Sequence, residues 1–250
     1  MIEAEPGTIV VYSDVGCPWA HLAVHRLLAT RSRPGLDDDV VLDHRAFPLE
    51  LVNRRPTPRR ILAAEVPVVG GLDPEAGWQV WQGDPATWPV TTLPALEAVQ
   101  AAKEQGRRAS ERLDRALRVA FFGESRCISM THVVLDVAGE VGLDVDALAT
   151  AVEHGRGRPA VFDHWRHAQD TDVKGSPHVF LPDGTDAHNP GIEMTWSGEH
   201  GVGFPMVIED NPSVYDDLLL RAAGVEVGEA PGSVPREPDG PVTPLRSSAS

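Results

Sequence analysis

Apolar residues occur first as an unbroken run and then at helical spacing. Thr8-Ile9-Val10-Val11-Tyr12-Ser13 shows no polar alternation, as expected of a strand buried on both faces. Pro18 to Thr30 carries Trp19, Leu22, Ala23, Leu27 and Leu28 on one side of a helical period, which predicts a helix. Arg31-Ser32-Arg33-Pro34-Gly35 ends it, because proline and glycine extend a helix poorly. Val40 to Phe47 then predicts a second strand. A strand, a crossover helix and another strand should pair in parallel.

From about Pro56 to Glu153 the pattern is helical. Leu93 to Gln105, Ser110 to Phe122, Thr131 to Val141 and Val145 to Glu153 each repeat near 3.6 residues. Proline, glycine and tryptophan crowd Pro67 to Pro89, which predicts an ordered loop with short turns. Val161 to Thr171 reads as a helix, Pro177 to Leu181 as a strand and Asp186 to Asn189 as its partner. Pro182-Asp183-Gly184-Thr185 between those two strands has the residues a tight turn requires. Asn189 to Pro205 is rich in glycine and holds Met194, Trp196 and Phe204, so it reads as a loop that either covers a site or anchors to the core. Pro212 to Ala223 predicts a last helix with Asn211 as its N-cap, and the Pro-, Gly- and Ser-rich end from Gly228 predicts disorder.

Composition narrows the function classes. The chain has 250 residues, 42% of them apolar, which is enough for a sizeable core. Lys+Arg 22 against Asp+Glu 37 gives a net charge of -15, which argues against nucleic acid or an anionic membrane surface as partner. No apolar run reaches the roughly 20 residues of a membrane span. Met1 to Pro6 is short and acidic, unlike a signal peptide, and the chain has only two cysteines. The expectation is a cytoplasmic protein with free thiols.

Cys17 is the first candidate for chemistry. It stands where the first strand meets the helix, with Pro18 suited to the first helical position. The helix N-terminus favours the thiolate, which is the nucleophilic form. Trp19 either walls the thiol or packs in the core. A second candidate segment is Val173-Lys174-Gly175-Ser176-Pro177-His178-Val179-Phe180, where a proline opens a strand although it cannot donate to a ladder.

The Gly16-Cys17-Pro18-Trp19 junction and the Ser176-Pro177 segment together resemble the thioredoxin-fold DsbA family, most closely FrnE-like proteins. The likeness extends to 2-hydroxychromene-2-carboxylate isomerases and kappa-class glutathione transferases. Phe47-Pro48-Leu49-Glu50 and Ser125-Arg126-Cys127-Ile128-Ser129 also look FrnE-like, although many relatives carry an acid where this chain has Cys127. The resemblance covers about Thr8 to Ala223. It implies an α/β thioredoxin fold with a large α-helical insertion between the second strand and a cis-proline strand. The expected organisation is a thioredoxin-like domain of 7–55 and 156–223, a helical insertion of 56–155, and a disordered tail of 224–250.

The same resemblance implies a thiol–disulfide oxidoreductase. Cys17, Pro18, Trp19 and Pro177 would form the catalytic site, with Ser176, His21 and His178 binding the substrate or thiol. The backbone at Ser176 and Pro177 would orient the partner. Redox relatives carry a second cysteine where this chain has Ala20, so Cys17 would work as a single thiol. Its partner would be a disulfide-containing substrate or a small thiol. Glutathione or a similar low-molecular-weight thiol would resolve the mixed disulfide, with no tightly bound cofactor. Cys127 is either the resolving thiol or a small packed side chain. The alternatives are a glutathione-type transferase or isomerase, in which serine is usual at position 17, and a redox-inactive binding protein.

Three further features carry weaker readings. Cys17, His21 and His25 share a helix face, but three ligands over two turns cannot meet one ion, so no metal is expected. His21 then either tunes Cys17 or is a polar surface residue, and His164 and His167 read as solvated. Arg54, Arg55, Arg59 and Arg60 form a basic group that is either solvated or attracts a carboxylate-bearing ligand. An exposed apolar face on the helical segment would permit a homodimer.

Overall fold

The computed structural model describes residues 2–33, 35–199 and 201–225. The disorder expected toward the C-terminus falls, from 226 onward, outside the described residues.

β1 (Thr8–Ser13), α1 (Pro18–Ser32) and β2 (Val41–Ala46) form the opening unit, and the strands pair in parallel from Thr8↔Val41 to Ser13↔Ala46. β3 (His178–Phe180) pairs antiparallel with β1, and β4 (Asp186–His188) with β3, giving the order β2-β1-β3-β4. β1 is buried along its whole length, which explains its lack of polar alternation. Ile9 and Val11 pack with Val24 and Leu27 of α1 and with Leu218 and Leu219 of a last helix, α9 (Val214–Ala222). Val10 and Tyr12 face the other way, against Phe47, Ala168 and Phe180.

The helices between β2 and β3 are α2 (Leu49–Val52), α3 (Arg59–Leu72), α4 (Leu93–Ala101), α5 (Arg107–Phe122), α6 (Thr131–Glu140), α7 (Val145–Glu153) and α8 (Arg158–Gln169). α3 to α8 share one apolar cluster that includes Leu96, Val99, Leu113, Leu117, Phe121 and Val134. This is the expected thioredoxin fold with a helical insertion before the proline-led strand. Among the described residues no helix is long and apolar enough to cross a membrane.

Two expected loops prove to be regular structure. The stretch from Pro67 is not loop at its start, because α3 runs through Pro67 to Leu72. An interior proline removes one helical hydrogen bond. Burial of Ile61, Leu62, Val66 and Val69 at helical spacing offsets that loss. Short 3-10 turns follow at Pro74–Ala76 and Pro85–Thr87. The segment after Asn189 is a hairpin, β5 (Ile192–Trp196) paired antiparallel with β6 (Pro205–Asp210). Its inward residues Ile192, Met194 and Val207 pack against Cys17, Trp19 and Leu22. Two ends also shift. α8 begins at Arg158 rather than Val161, and Ser213 occupies the N-cap of α9 while Asn211 Oδ1 accepts from the Ser213 backbone N–H at 3.2 Å.

Candidate active site

Cys17 is the N-cap of α1, with extended backbone angles, and Pro18 follows in the first turn. The Cys17 thiol donates to the Ser176 carbonyl at 3.2 Å, and the Ser176–Pro177 peptide bond is cis. The two segments singled out in the sequence therefore meet at the thiol.

Asp14 holds this meeting together. Its backbone N–H donates to Ser176 Oγ at 2.9 Å, and its carbonyl accepts from the Cys17 N–H at 3.1 Å. Its carboxylate accepts from the Gly16 N–H (2.8 Å), the Leu49 N–H (2.8 Å) and the Thr92 hydroxyl (3.0 Å). One buried carboxylate thus joins the Cys17 turn, α2 and the start of α4. Gly16 has to be small here, because a Cβ would come within 2.9 Å of Thr92 Cγ2. Arg118 of α5 supports the turn from behind, donating to the Asp14 carbonyl at 2.9 Å and to Ser13 Oγ at 2.7 Å. Burial pushes the Asp14 pKa up, while its three donors and the Arg118 charge pull it back.

Trp19 is buried beside the thiol. It belongs to the same apolar cluster as Cys17 and Val69, and its indole N–H donates to Glu65 Oε1 at 3.0 Å. Glu65 lies on α3, and burial pushes its carboxyl up to about 7, with the indole hydrogen bond opposing.

Cys17 is 4% exposed. Burial pushes its pKa up to about 11; the hydrogen bonds with Ser176 and Ala20 oppose this, and the charges of Glu65 and Asp14 add to it. The helix N-terminus was expected to favour the thiolate. Desolvation wins instead, because the hairpin and α3 enclose the sulfur and remove water from it. At neutral pH Cys17 is a thiol that donates a hydrogen bond.

The histidines do not converge on the sulfur. Arg115 of α5 donates toward His21 Nδ1 at 3.1 Å and His25 Nδ1 at 2.8 Å. A guanidinium only donates, so both Nδ1 atoms accept and both protons sit on Nε2. His21 Nε2 then faces the Gly77 carbonyl at 3.3 Å, and the ring stacks on Phe122 with centroids 5.0 Å apart. Burial, then the Arg115 charge, holds its pKa well below the histidine range. With both nitrogens engaged, His21 is a buried strut rather than a base for Cys17 or a surface residue. His178 is also fully buried, accepting from the Lys174 N–H at 3.1 Å and meeting Asp186 at 2.7 Å. It points to the β4 side rather than to a ligand at the thiol. His164, expected to be solvated, instead accepts from the Ala46 N–H at 3.3 Å, and burial drives its pKa down to about 4.

The proline segment is internally engaged as well. The Ser176 carbonyl takes the thiol, and the Pro177 carbonyl takes the Asn189 N–H at 3.0 Å. Ala20, where redox relatives have their second cysteine, is fully buried. Cys127 is free and packs against the helical cluster, not the cluster that holds Cys17. Among the described residues no group of three or more His, Cys, Asp or Glu side chains could hold a metal ion.

Sequence reasoning passed over Asp14, Glu65 and Arg118. Asp14 left a local signal, an acid two residues before a glycine at a strand end, which suits an Asx turn. Glu65 left none, since its partner Trp19 lies 46 residues away; Arg118 left only its i,i+4 pairing with Asp114, because Ser13 and Asp14 are more than 100 residues distant.

A family model described as a DSBA-like thioredoxin domain matches residues 8–201. Among solved structures, the chain is similar to a "probable DsbA oxidoreductase" from Streptomyces coelicolor at 17% identity, with TM-score 0.63 and coverage of 95% of this chain and 99% of that one. It is similar to the cytosolic disulfide reductase DsbM from Pseudomonas aeruginosa with GSH at 15% identity, with TM-score 0.59 and coverage of 85% and 96%. It is also similar to a 2-hydroxychromene-2-carboxylate isomerase at 14% identity, with TM-score 0.53 and coverage of 72% and 87%. At these identities the likeness is one of fold. No curated sequence matches the chain.

Proposed function

This chain belongs to the DSBA-like thioredoxin domain family, and on that premise we propose that it is a thiol–disulfide oxidoreductase acting through Cys17 as a single thiol. The observation that carries the reading is the contact of the Cys17 thiol with the carbonyl of Ser176, one residue before Pro177, at 3.2 Å. Deprotonated Cys17 attacks one sulfur of a substrate disulfide. A Cys17–substrate disulfide forms, and the other substrate sulfur leaves as a thiol with the proton. Ala20 offers no second thiol, so an external low-molecular-weight thiol such as glutathione attacks the substrate sulfur of that mixed disulfide. Cys17 is released as a thiol, and the substrate leaves as a disulfide with the small thiol, from which a second small-thiol molecule frees the remaining substrate thiol and forms the small disulfide. Cys127 is the less favoured resolving group, because it packs with a different cluster.

The direction of exchange follows from the thiol. Strong oxidants of this kind stabilise their thiolate. Burial does the opposite to Cys17, raising it to about 11. The reading is therefore a reductase that works in the cytoplasm, in keeping with the cytosolic disulfide reductase of the same fold. The test is intact mass after incubating the Cys127→Ala protein with glutathione disulfide between about pH 7 and pH 10. A single glutathionyl adduct on Cys17, formed faster as pH rises, is expected. No adduct, or an adduct whose rate of formation does not rise with pH, would refute it.

One observation favours a second reading. A thiol pushed to about 11 is a hydrogen-bond donor at neutral pH. It would then serve a bound small thiol, as in a glutathione-type transferase or isomerase. Saturable glutathione binding that survives Cys17→Ser, together with no adduct, would select that reading.

A further inference from the structure

We propose that the outward face of the β5–β6 hairpin is the interface of a two-fold symmetric dimer, and that its partner is a second copy of this chain.

β6 is apolar on both of its faces. Pro205 is buried and Val207 half-buried, the latter against the cluster that holds Cys17. Phe204, Met206 and Ile208 alternate with them and face solvent, at 65%, 49% and 60% exposure, and Val202 of the turn is 66% exposed. A hairpin wet on one face alternates apolar with polar residues, whereas a strand apolar on both faces is one covered on both. Among the described residues nine large hydrophobic side chains are exposed, and four of them stand between 202 and 208, so this row is a patch and not scatter. α3 borders the patch, because it runs alongside β6 in the same direction. At one end the hairpin turn meets the start of α3: a Cβ on Gly201 would come within 2.9 Å of Ile61 Cδ1. At the other end Arg26 donates to both the Leu72 carbonyl and the Asp210 carboxylate. Between these ends Val68 and Val207 pack on the same cluster.

Charge identifies what covers the patch. Glu193 pairs with Glu209 and Met194 with Val207, so Ile208 is the extra residue of a β-bulge. Glu193, Ile208 and Glu209 are all exposed, and the two carboxylates stand opposite each other across the strands. Like charges so placed oppose strand pairing unless a cation joins them. The other end carries Arg60, exposed and two helical turns before Val68 on one side of α3. Glu199 of the turn is outnumbered there by Arg59 and Arg60. Among the described residues the side chains of Arg60, Glu193 and Glu209 have no hydrogen bond or ion pair. A two-fold axis that lies in the face and crosses β6 at Met206 reverses the row end for end. Each Arg60 then meets Glu193 and Glu209 of the other copy, Phe204 covers Ile208, and the two Met206 side chains meet at the axis. A face that is apolar in the middle and oppositely charged at its ends matches itself in this way. A partner of a single charge sign would leave one end unmatched.

The test is analytical ultracentrifugation of the full chain from about 1 to 100 μM. Salt at about 0.15 M screens the mutual repulsion of two chains of net charge -15 beyond about 8 Å. The parent should sediment as a dimer in reversible equilibrium with monomer. Met206→Lys puts two like charges at the axis and should give a monomer. Arg60→Glu, and separately Glu193→Arg with Glu209→Arg, should each weaken self-association by at least about tenfold. Mixed together, these last two proteins should pair within about threefold of the parent affinity, because each then meets its opposite charge at both ends. All the substitutions are at exposed positions and should leave the circular dichroism unchanged. A parent that stays monomeric at the highest concentration, a dimer that Met206→Lys leaves intact, or charge-reversed proteins that pair no better mixed than alone would overturn the proposal.

Discussion

Glu65→Gln should make the folded protein more stable, and only at high pH. Glu65 is buried, and its carboxyl is raised from 4.5 to about 7. A raised acid stabilises the fold in its protonated form. That contribution is fully present below about 4.5 and is lost as pH rises through about 7. The difference corresponds to about 3 kcal/mol of destabilisation at pH 8 relative to pH 4. Glutamine keeps an oxygen for the Trp19 indole and cannot ionise. Urea unfolding at pH 8 should therefore show the variant more stable by about 2–3 kcal/mol, with the slope unchanged. At pH 4 the two proteins should agree within about 0.5 kcal/mol. Titration of groups that do not face Glu65 is common to both proteins and cancels in the difference. A pH-independent difference, or a variant that loses stability as pH rises, would show that Glu65 is not held neutral by burial.

Three other outcomes follow from the same geometry. In a Cys127→Ala background, iodoacetamide alkylation of Cys17 should have its midpoint near 11, above the usual thiol value of about 8.5, and Glu65→Gln should lower it; a midpoint at or below the usual value would contradict desolvation as the dominant effect. Asp14→Ala leaves the Gly16 and Leu49 N–H groups without their acceptor, and chemical denaturation should show a loss of about 2–5 kcal/mol; a loss under about 1 kcal/mol would remove Asp14 from its organising role. His164 is lowered from 6.5 to about 4, so its contribution is present above 6.5 and is lost as pH falls through about 4. Allowing for partial exposure, His164→Gln should flatten the acid limb of the stability curve by about 2 kcal/mol, and an unchanged limb would count against it.

Local pattern was enough for the elements and for the two segments that meet. The β1 run, the α1 spacing, Pro18 at the first turn and the turn at Pro182 to Thr185 each depend on neighbours a few residues away, so their physics is written in short stretches of chain. Where the reading failed, a distant partner had changed the outcome. Pro67 is a helix breaker by itself, yet α3 continues through it because Val66 and Val69 gain more by burial. Glycines after Asn189 suggested a loop, but pairing between β5 and β6 is non-local and leaves only a weak trace in spacing.

The chemistry of the site divides in the same way. That Cys17 caps a helix beside a proline, and that Ala20 removes a second thiol, follows from residue order alone. Whether the sulfur is a thiolate depends on how much water reaches it and which charges face it. The hairpin supplies Met194 and Val207, α3 supplies Glu65 from 46 residues beyond Trp19, and Ser176 arrives 162 residues after Asp14. Desolvation and charge act through space, so only the folded chain could set them. It set them against the local preference of the helix end, so that Cys17 rests as a buried hydrogen-bond donor and has to lose its proton before it can attack.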